Sequence, residues 1–443
     1  MPAIREKAEK RRLKPLMVIV VLVGVLVGLA ACRGFFGQGP IALLEILNTD
    51  DQEVPVVLSF DLSASNDPDG TIATFELDFG DGSTATTGTD VSVVLTHTYT
   101  EAGTYTITLT ITDNDGRIGM DQETVTIGPV MITFASRRIG QFDIWRMEAD
   151  GTNQGAVLST PDEELFPALV RGTRGKIAFA SDAAGDWNIS VMNVAGTSVA
   201  PLTIASPQDI QPSWSRDGGM IAFASNEAQT PSRTTWQIWT MTETGAGQTQ
   251  LTTQTPSWAI APAYSPLNDD ILFVTDAGPA AGGSAIWLWD DSGSSASVLY
   301  DSSGRDGDVS PAGFPAGLAV PLDLPVNAGV SKPAWSPDGT KIAFSTDQGA
   351  GIDIYVMDAN GTGAETLEAY VDSLVTGTIT AGSITPLGAT AHEFCPYWLE
   401  DGAGLAFVKN SGIIYDLYVV SFSNGAVTQL TSTGENVTPA QRR

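Results

Sequence analysis

Basic and redox-active side chains are what this chain has least of. Its 443 residues hold two histidines and two cysteines, and 22 Lys and Arg stand against 51 Asp and Glu, for a formal charge of −29. With only His97 and His392, lying in different parts of the chain, a Ser-His-Asp constellation would have to rest on His392 alone. No Gly-x-Ser-x-Gly elbow and no His/Cys cluster with zinc spacing occurs. The acidic excess repels nucleic acid and anionic surfaces and leaves cationic groups as favoured company. Long apolar runs are also missing, apart from the uncharged stretch from Pro15 to Ala31, which falls short of the roughly 20 residues of a spanning helix.

That stretch follows a basic segment, Arg5 to Lys14, and ends in Leu29-Ala-Ala-Cys32. A basic start, an apolar middle and small residues before a cut make a secretion signal. Leu-Ala-Ala-Cys resembles a bacterial lipobox, and the resemblance implies that Cys32 becomes a lipid-bearing N-terminus. Residues 1–31 would then be the signal peptide and 32–41 a lipidated tether. Removing six basic and two acidic side chains with the signal leaves a charge of −33. With Cys32 acylated, Cys395 has no partner for an intramolecular disulfide.

After residue 130 a short apolar strand recurs: Ile132-Thr-Phe134, Ile177-Ala-Phe179, Ile221-Ala-Phe223, Ile271-Leu-Phe273, Ile342-Ala-Phe344 and Leu405-Ala-Phe407. The phenylalanines are 45, 44, 50, 71 and 63 residues apart, a period that predicts propeller blades with insertions in the later copies. Each copy is preceded by a Pro-x-aromatic-Ser segment and a tight turn, clearest in Pro333-Ala-Trp335-Ser-Pro-Asp-Gly339. An Ile-aromatic-x-Met strand follows, as in Ile354-Tyr-Val-Met357. The first copy lacks its leading segment, and Asn436-Val-Thr-Pro439-Ala-Gln441 looks like the missing piece, so strand 436–441 is expected to complete blade one. This series resembles the WD40-like repeat of the TolB family of six-bladed propellers over residues 130–443, which implies an extracytoplasmic binding scaffold with a central channel.

Residues 42–128 read as a small β-sandwich. Thr104 to Thr112 alternates threonine with apolar or aromatic residues, the pattern of a half-buried strand, and turn signals recur about every ten residues. Phe79-Gly-Asp-Gly82, His97-Thr-Tyr99 and the surrounding turns closely resemble the PKD domain, an immunoglobulin-like module. The resemblance implies that Asp67, Asp69 and Asp113 converge at one end of the sandwich, where calcium is the cofactor to consider. The same aspartates also serve as turn formers.

The expected fold is therefore all-β, a PKD sandwich followed by a six-bladed propeller. The residue three before each inner-strand proline should lie in the loop that delivers the chain to the channel mouth. By that rule Asn436, Glu164, Asp209 and Glu393 form a polar arc, with Ala259 and Val330 apolar. Trp258 is a further contact candidate, exposed or plugging the ring. Insertions 301–329 and 366–391 break the period on one rim. The expected function is a monomeric, lipid-anchored envelope scaffold without catalytic activity, binding a protein, peptide or polysaccharide partner, with the PKD module as spacer. The alternatives are an enzyme at the channel mouth acting on glycans or peptides, for which the pairs Glu163-Glu164 and Asp290-Asp291 are available, and an adhesin binding through its PKD domain.

Overall fold

A computed structural model describes residues 37–47, 53–170, 175–204, 207–226, 236–252, 258–275, 285–292, 295–301, 330–346, 352–375, 391–411, 414–432 and 436–441. Cys32, the leader and most of both insertions lie outside the described residues.

The first domain packs a three-stranded sheet, Glu45–Ile46, Val56–Asp61 and Leu95–Tyr99, on a four-stranded one in the order Thr86–Gly88, Ile72–Asp78, Gly103–Asp113, Ile118–Ile127. Its interior is what the alternation predicts: Ile107, Leu109 and Ile111 point inward with Leu58, Phe60 and Leu77, all fully buried. Threonines between them face out, and burial of these apolar side chains is the main source of stability. At one end His97 stacks on Phe79, with ring centres 3.9 Å apart, and its Nε2 lies 2.7 Å from Asp81 Oδ2. The Tyr99 hydroxyl donates to the Phe79 carbonyl at 2.9 Å. Gly80 is required here, since its φ is +75° and a Cβ would sit 2.4 Å from the Thr106 carbonyl oxygen.

Residues 38–41, read from the sequence as tether, are bonded to this sandwich. The Gln38 amide donates to Asp69, and Ile41 exchanges backbone hydrogen bonds with Asn66. The chain thus enters at one pole and leaves at the other through Gly128, which accepts from the Val54 amide.

Six four-stranded antiparallel sheets follow among the described residues. Blade two is typical, running from Glu164–Leu169 inside through Lys176–Ser181 and Asn188–Asn193 to Ala200–Pro201 outside. The repeated phenylalanines occupy the second strands, and all six are buried between neighbouring sheets. In blade one the inner strand is Asn436–Gln441, paired antiparallel with Met131–Ser136, so the two ends of the repeat array meet in one sheet.

Every inner strand carries the same irregularity: pairing slips between Leu165 and Ala168, Ile210 and Ser213, Ile260 and Ala263, Ser331 and Ala334, Phe394 and Tyr397, and Val437 and Ala440. A bulge leaves residues out of the ladder, which suits a proline that has no amide hydrogen to give. The residue just before the proline takes a positive φ at Phe166, Gln211, Ala261 and Cys395, a left-handed conformation costing roughly 1–2 kcal/mol for a side chain with a Cβ. The neighbouring blades supply the packing that holds it.

The sequence shows no helix, but Leu367–Leu374 forms one, capped by the Thr366 hydroxyl accepting from the Ala369 amide. It opens the insertion 366–391. Its Leu367, Tyr370 and Val371 are buried, and Tyr370 meets Trp398 edge to face.

Candidate functional site: the two mouths of the ring

The mouth where the chain enters the inner strands holds the residues picked from sequence, in a different setting from the one expected. Asn436, Glu164 and Asp209 are the first residues of inner strands and Glu393 is the third of its own, so none lies in a loop. All four are buried, with 0, 1, 4 and 6% of their surface exposed. Their ladder partners are Ser136, Ser181, Ser225 and Lys409. The register explains the shift: each inner strand spends one residue more than its partner at the bulge, and pairing resumes upstream of it to take in these positions.

Asn436 is fully engaged. Ser136 and Arg138 donate to its Oδ1 at 2.8 and 2.7 Å, and its own amide donates to Thr431 and Asp416 at 3.0 and 3.1 Å. It ties blade six to blade one. Glu164 Oε1 accepts from the Thr160 hydroxyl at 2.6 Å, while its Oε2 is buried with no hydrogen-bond partner. Burial, with the charge of Asp143 adding to it, pushes this carboxyl up to about 7. Burial also lifts Glu393 to about 8, helped by Glu368 and opposed by Lys409. Both acids are buried, and they offer no open arc. Asp209 does line a cavity of about 100 Å³ with Thr203, Pro207, Phe223 and Trp239. Trp258 is buried in the core shared by several blades and is not an exposed contact.

The opposite mouth is where an aromatic pocket opens, and sequence reasoning missed it. A cavity of about 190 Å³ is lined by Trp214, Arg216, Trp335, Tyr397, Trp398 and Glu400, with Ser265, Pro266 and Pro337 around it. It spans blades three to six. The three tryptophans come from the Pro-x-Trp segments, one residue before the turn that ends each inner strand. Each indole donates to an inner-strand carbonyl of the preceding blade: Trp214 to Ala168 at 3.0 Å, Trp335 to Ala263 at 3.2 Å, Trp398 to Ala334 at 3.1 Å. These bonds satisfy the buried N–H groups and fix the rings. The signal was present in the motif, but it was read only as a strand marker.

In the sandwich, the predicted calcium aspartates do not assemble. Asp113 accepts from the Asp115 and Arg117 amides at 2.8 Å each and pairs with the Arg117 guanidinium at 3.4 Å. Asp67 accepts from the Asp69 amide at 3.4 Å, and Asp69 from Gln38 at 2.8 Å. Among the described residues no group of three or more His, Cys, Asp or Glu side chains is placed to hold a metal. Asp67 and Asp113 are spent on local turns and Asp69 on the Gln38 amide.

These features define a two-domain all-β protein, an immunoglobulin-like sandwich joined to a six-bladed propeller. Residues 42–127 match the family model described as PKD domain. TolB from Acinetobacter baumannii has a TM-score of 0.51 at 17% identity, over 78% of this chain and 81% of that one. Hydrazine synthase of Kuenenia stuttgartiensis has 0.50 at 14%, over 71% and 46%. The PKD1 domain of Vibrio anguillarum Epp is 29% identical over 21% of this chain and 98% of its own, with a TM-score of 0.18. No curated protein matches. The chain thus carries a segment matching the PKD domain, followed by a propeller with the fold of TolB.

Proposed function

We propose that this protein is a lipid-anchored, extracytoplasmic scaffold that receives a protein partner at the tryptophan-lined mouth of its propeller. The observation that carries the reading is the rigid pocket formed by Trp214, Trp335 and Trp398. Buried aromatic anchors in well-packed pockets with arginine at the edge are where protein-binding energy concentrates. No catalytic step is assigned.

The sandwich acts as the spacer. Its last strand, Ile118–Ile127, runs ten residues from the pole that binds Gln38 to the pole that joins the ring, roughly 33 Å. At the joint Arg146 pairs with Glu53 and the Ala149 amide donates to Val130, so the spacer meets the ring at blade one. Gly128 leads into Met131, which lies at the same mouth as the pocket.

A photo-crosslinking residue placed at Tyr397 in intact cells tests the reading. Capture of one partner, lost when Trp335→Ala is added, is the expected result. Capture that is indifferent to Trp335→Ala in a folded variant would remove the pocket from the function.

A further inference from the structure

The pocket carries one basic side chain that has no acidic partner among the described residues. Among the described arginines, Arg117 pairs with Asp113 and Asp115, Arg137 with Glu163 and Arg146 with Glu53, and Arg138 is held by Asn436 and Gln154. Arg216 donates to the Leu267 carbonyl, at 3.5 Å, the outer limit of a hydrogen bond. In a chain with 51 acidic residues against 22 basic ones, an arginine that meets no carboxylate among the described residues, standing at the lip of an aromatic cavity, is conspicuous. Glu400, the carboxylate that also lines the cavity, is buried and already engaged.

The size and walls of the cavity narrow what it can hold. About 190 Å³ is below the roughly 300–1,000 Å³ of sites that swallow a whole small molecule, and it suits one large side chain. Trp214, Trp335 and Trp398 are 1, 8 and 5% exposed, so little of any ring face is open. A sugar needs an exposed face to stack on, whereas an inserted side chain needs only walls. Arginine presents a fork of donors that fits a carboxylate.

Building on the proposed binding role, we infer that the pocket recognises a protein chain by a carboxylate set beside one large apolar side chain. Arg216 takes the carboxylate and the tryptophan cavity takes the side chain. A C-terminal aromatic residue supplies both groups on one residue, and it is the occupant the pocket fits.

The test uses the full chain with two peptides, acetyl-Gly-Gly-Trp with a free C-terminus and the same peptide as its amide, followed by ligand-observed NMR. The free acid should bind at least five-fold more tightly than the amide. Arg216→Gln, an exposed substitution that leaves the melting midpoint unchanged, should abolish that preference while the amide binds as before. Equal binding of acid and amide to the wild type, a preference surviving Arg216→Gln, or binding of an N-acetylglucosamine hexamer in place of both peptides would overturn the inference. The crosslink at Tyr397 separates it from the broader reading. If capture is lost with Trp335→Ala but unchanged with Arg216→Gln, the pocket keeps its role and the carboxylate does not.

Discussion

Ser136 donates a hydrogen bond to Asn436 at 2.8 Å, joining residues 300 positions apart in the chain within one sheet. The same asparagine also reaches Thr431 and Asp416 of the neighbouring blade. Asn436→Ala takes the acceptor from the buried Ser136 hydroxyl and from Arg138, while Thr431 and Asp416 keep their bonds to Leu417, Gln429 and each other; an unsatisfied buried group costs about 1–3 kcal/mol. We expect a loss of about 2–4 kcal/mol in denaturant unfolding of the propeller, with the sandwich transition unmoved. A change below 0.5 kcal/mol would mean that the joint is held by backbone pairing alone.

Glu164 and Glu393 predict a pH dependence. Each is raised above the usual carboxyl value of 4.5, to about 7 and about 8. A carboxyl raised on folding holds its proton more tightly in the native state. Its stabilising effect is whole below pH 4.5 and is lost as pH rises through 7 for Glu164 and 8 for Glu393. The propeller should therefore melt lower at pH 9 than at pH 5. Glu164→Gln with Glu393→Gln should recover on the order of 1–3 kcal/mol at pH 9 and nothing at pH 5. Parallel melting curves for variant and wild type across this range would refute the assignment.

The indole bonds between blades can be removed singly. Trp335→Phe keeps most of the apolar volume and deletes the donor to Ala263, at a cost of about 1 kcal/mol. Trp214→Phe deletes a separate donor, to Ala168, at a similar cost, and because both rings line one cavity the double variant should depart from the sum of the two. Calorimetry of the two single variants and the double variant checks both statements.

Gly80→Ala probes the sandwich. The new methyl group would meet the Thr106 carbonyl at 2.4 Å in a backbone with φ of +75°, so a loss of about 2 kcal/mol or more is expected. Circular dichroism melting of the full chain should show the sandwich transition falling first.

Much of this architecture was legible because it is written locally. Phe134, Phe179, Phe223, Phe273, Phe344 and Phe407 mark middle strands with both faces covered, and such strands declare themselves as short apolar runs wherever the blade ends up. The alternation through Ile107, Leu109 and Ile111 does the same for a sheet with one wet face. What depended on the closed ring could not be read in this way. Glu164 and Glu393 look like loop acids until the bulges at Phe166 and Cys395 draw them into strands. Trp214, Trp335 and Trp398 lie 121 and 63 residues apart in sequence and become one wall only when blades three to six are set side by side. The helix Leu367–Leu374 was hidden because eight residues carry too few turns for a reliable period, and its footing is the distant Trp398.

The strand Asn436–Gln441 has a consequence for biogenesis. Blade one has three of its strands early in the polypeptide, between Met131 and Leu158, and must wait for its fourth until every other blade has been made. The wheel therefore cannot seal partway through synthesis. An unsealed intermediate presents the Met131–Ser136 edge to any passing strand, which makes the interval before that final segment arrives the time when the molecule most needs a holding chaperone.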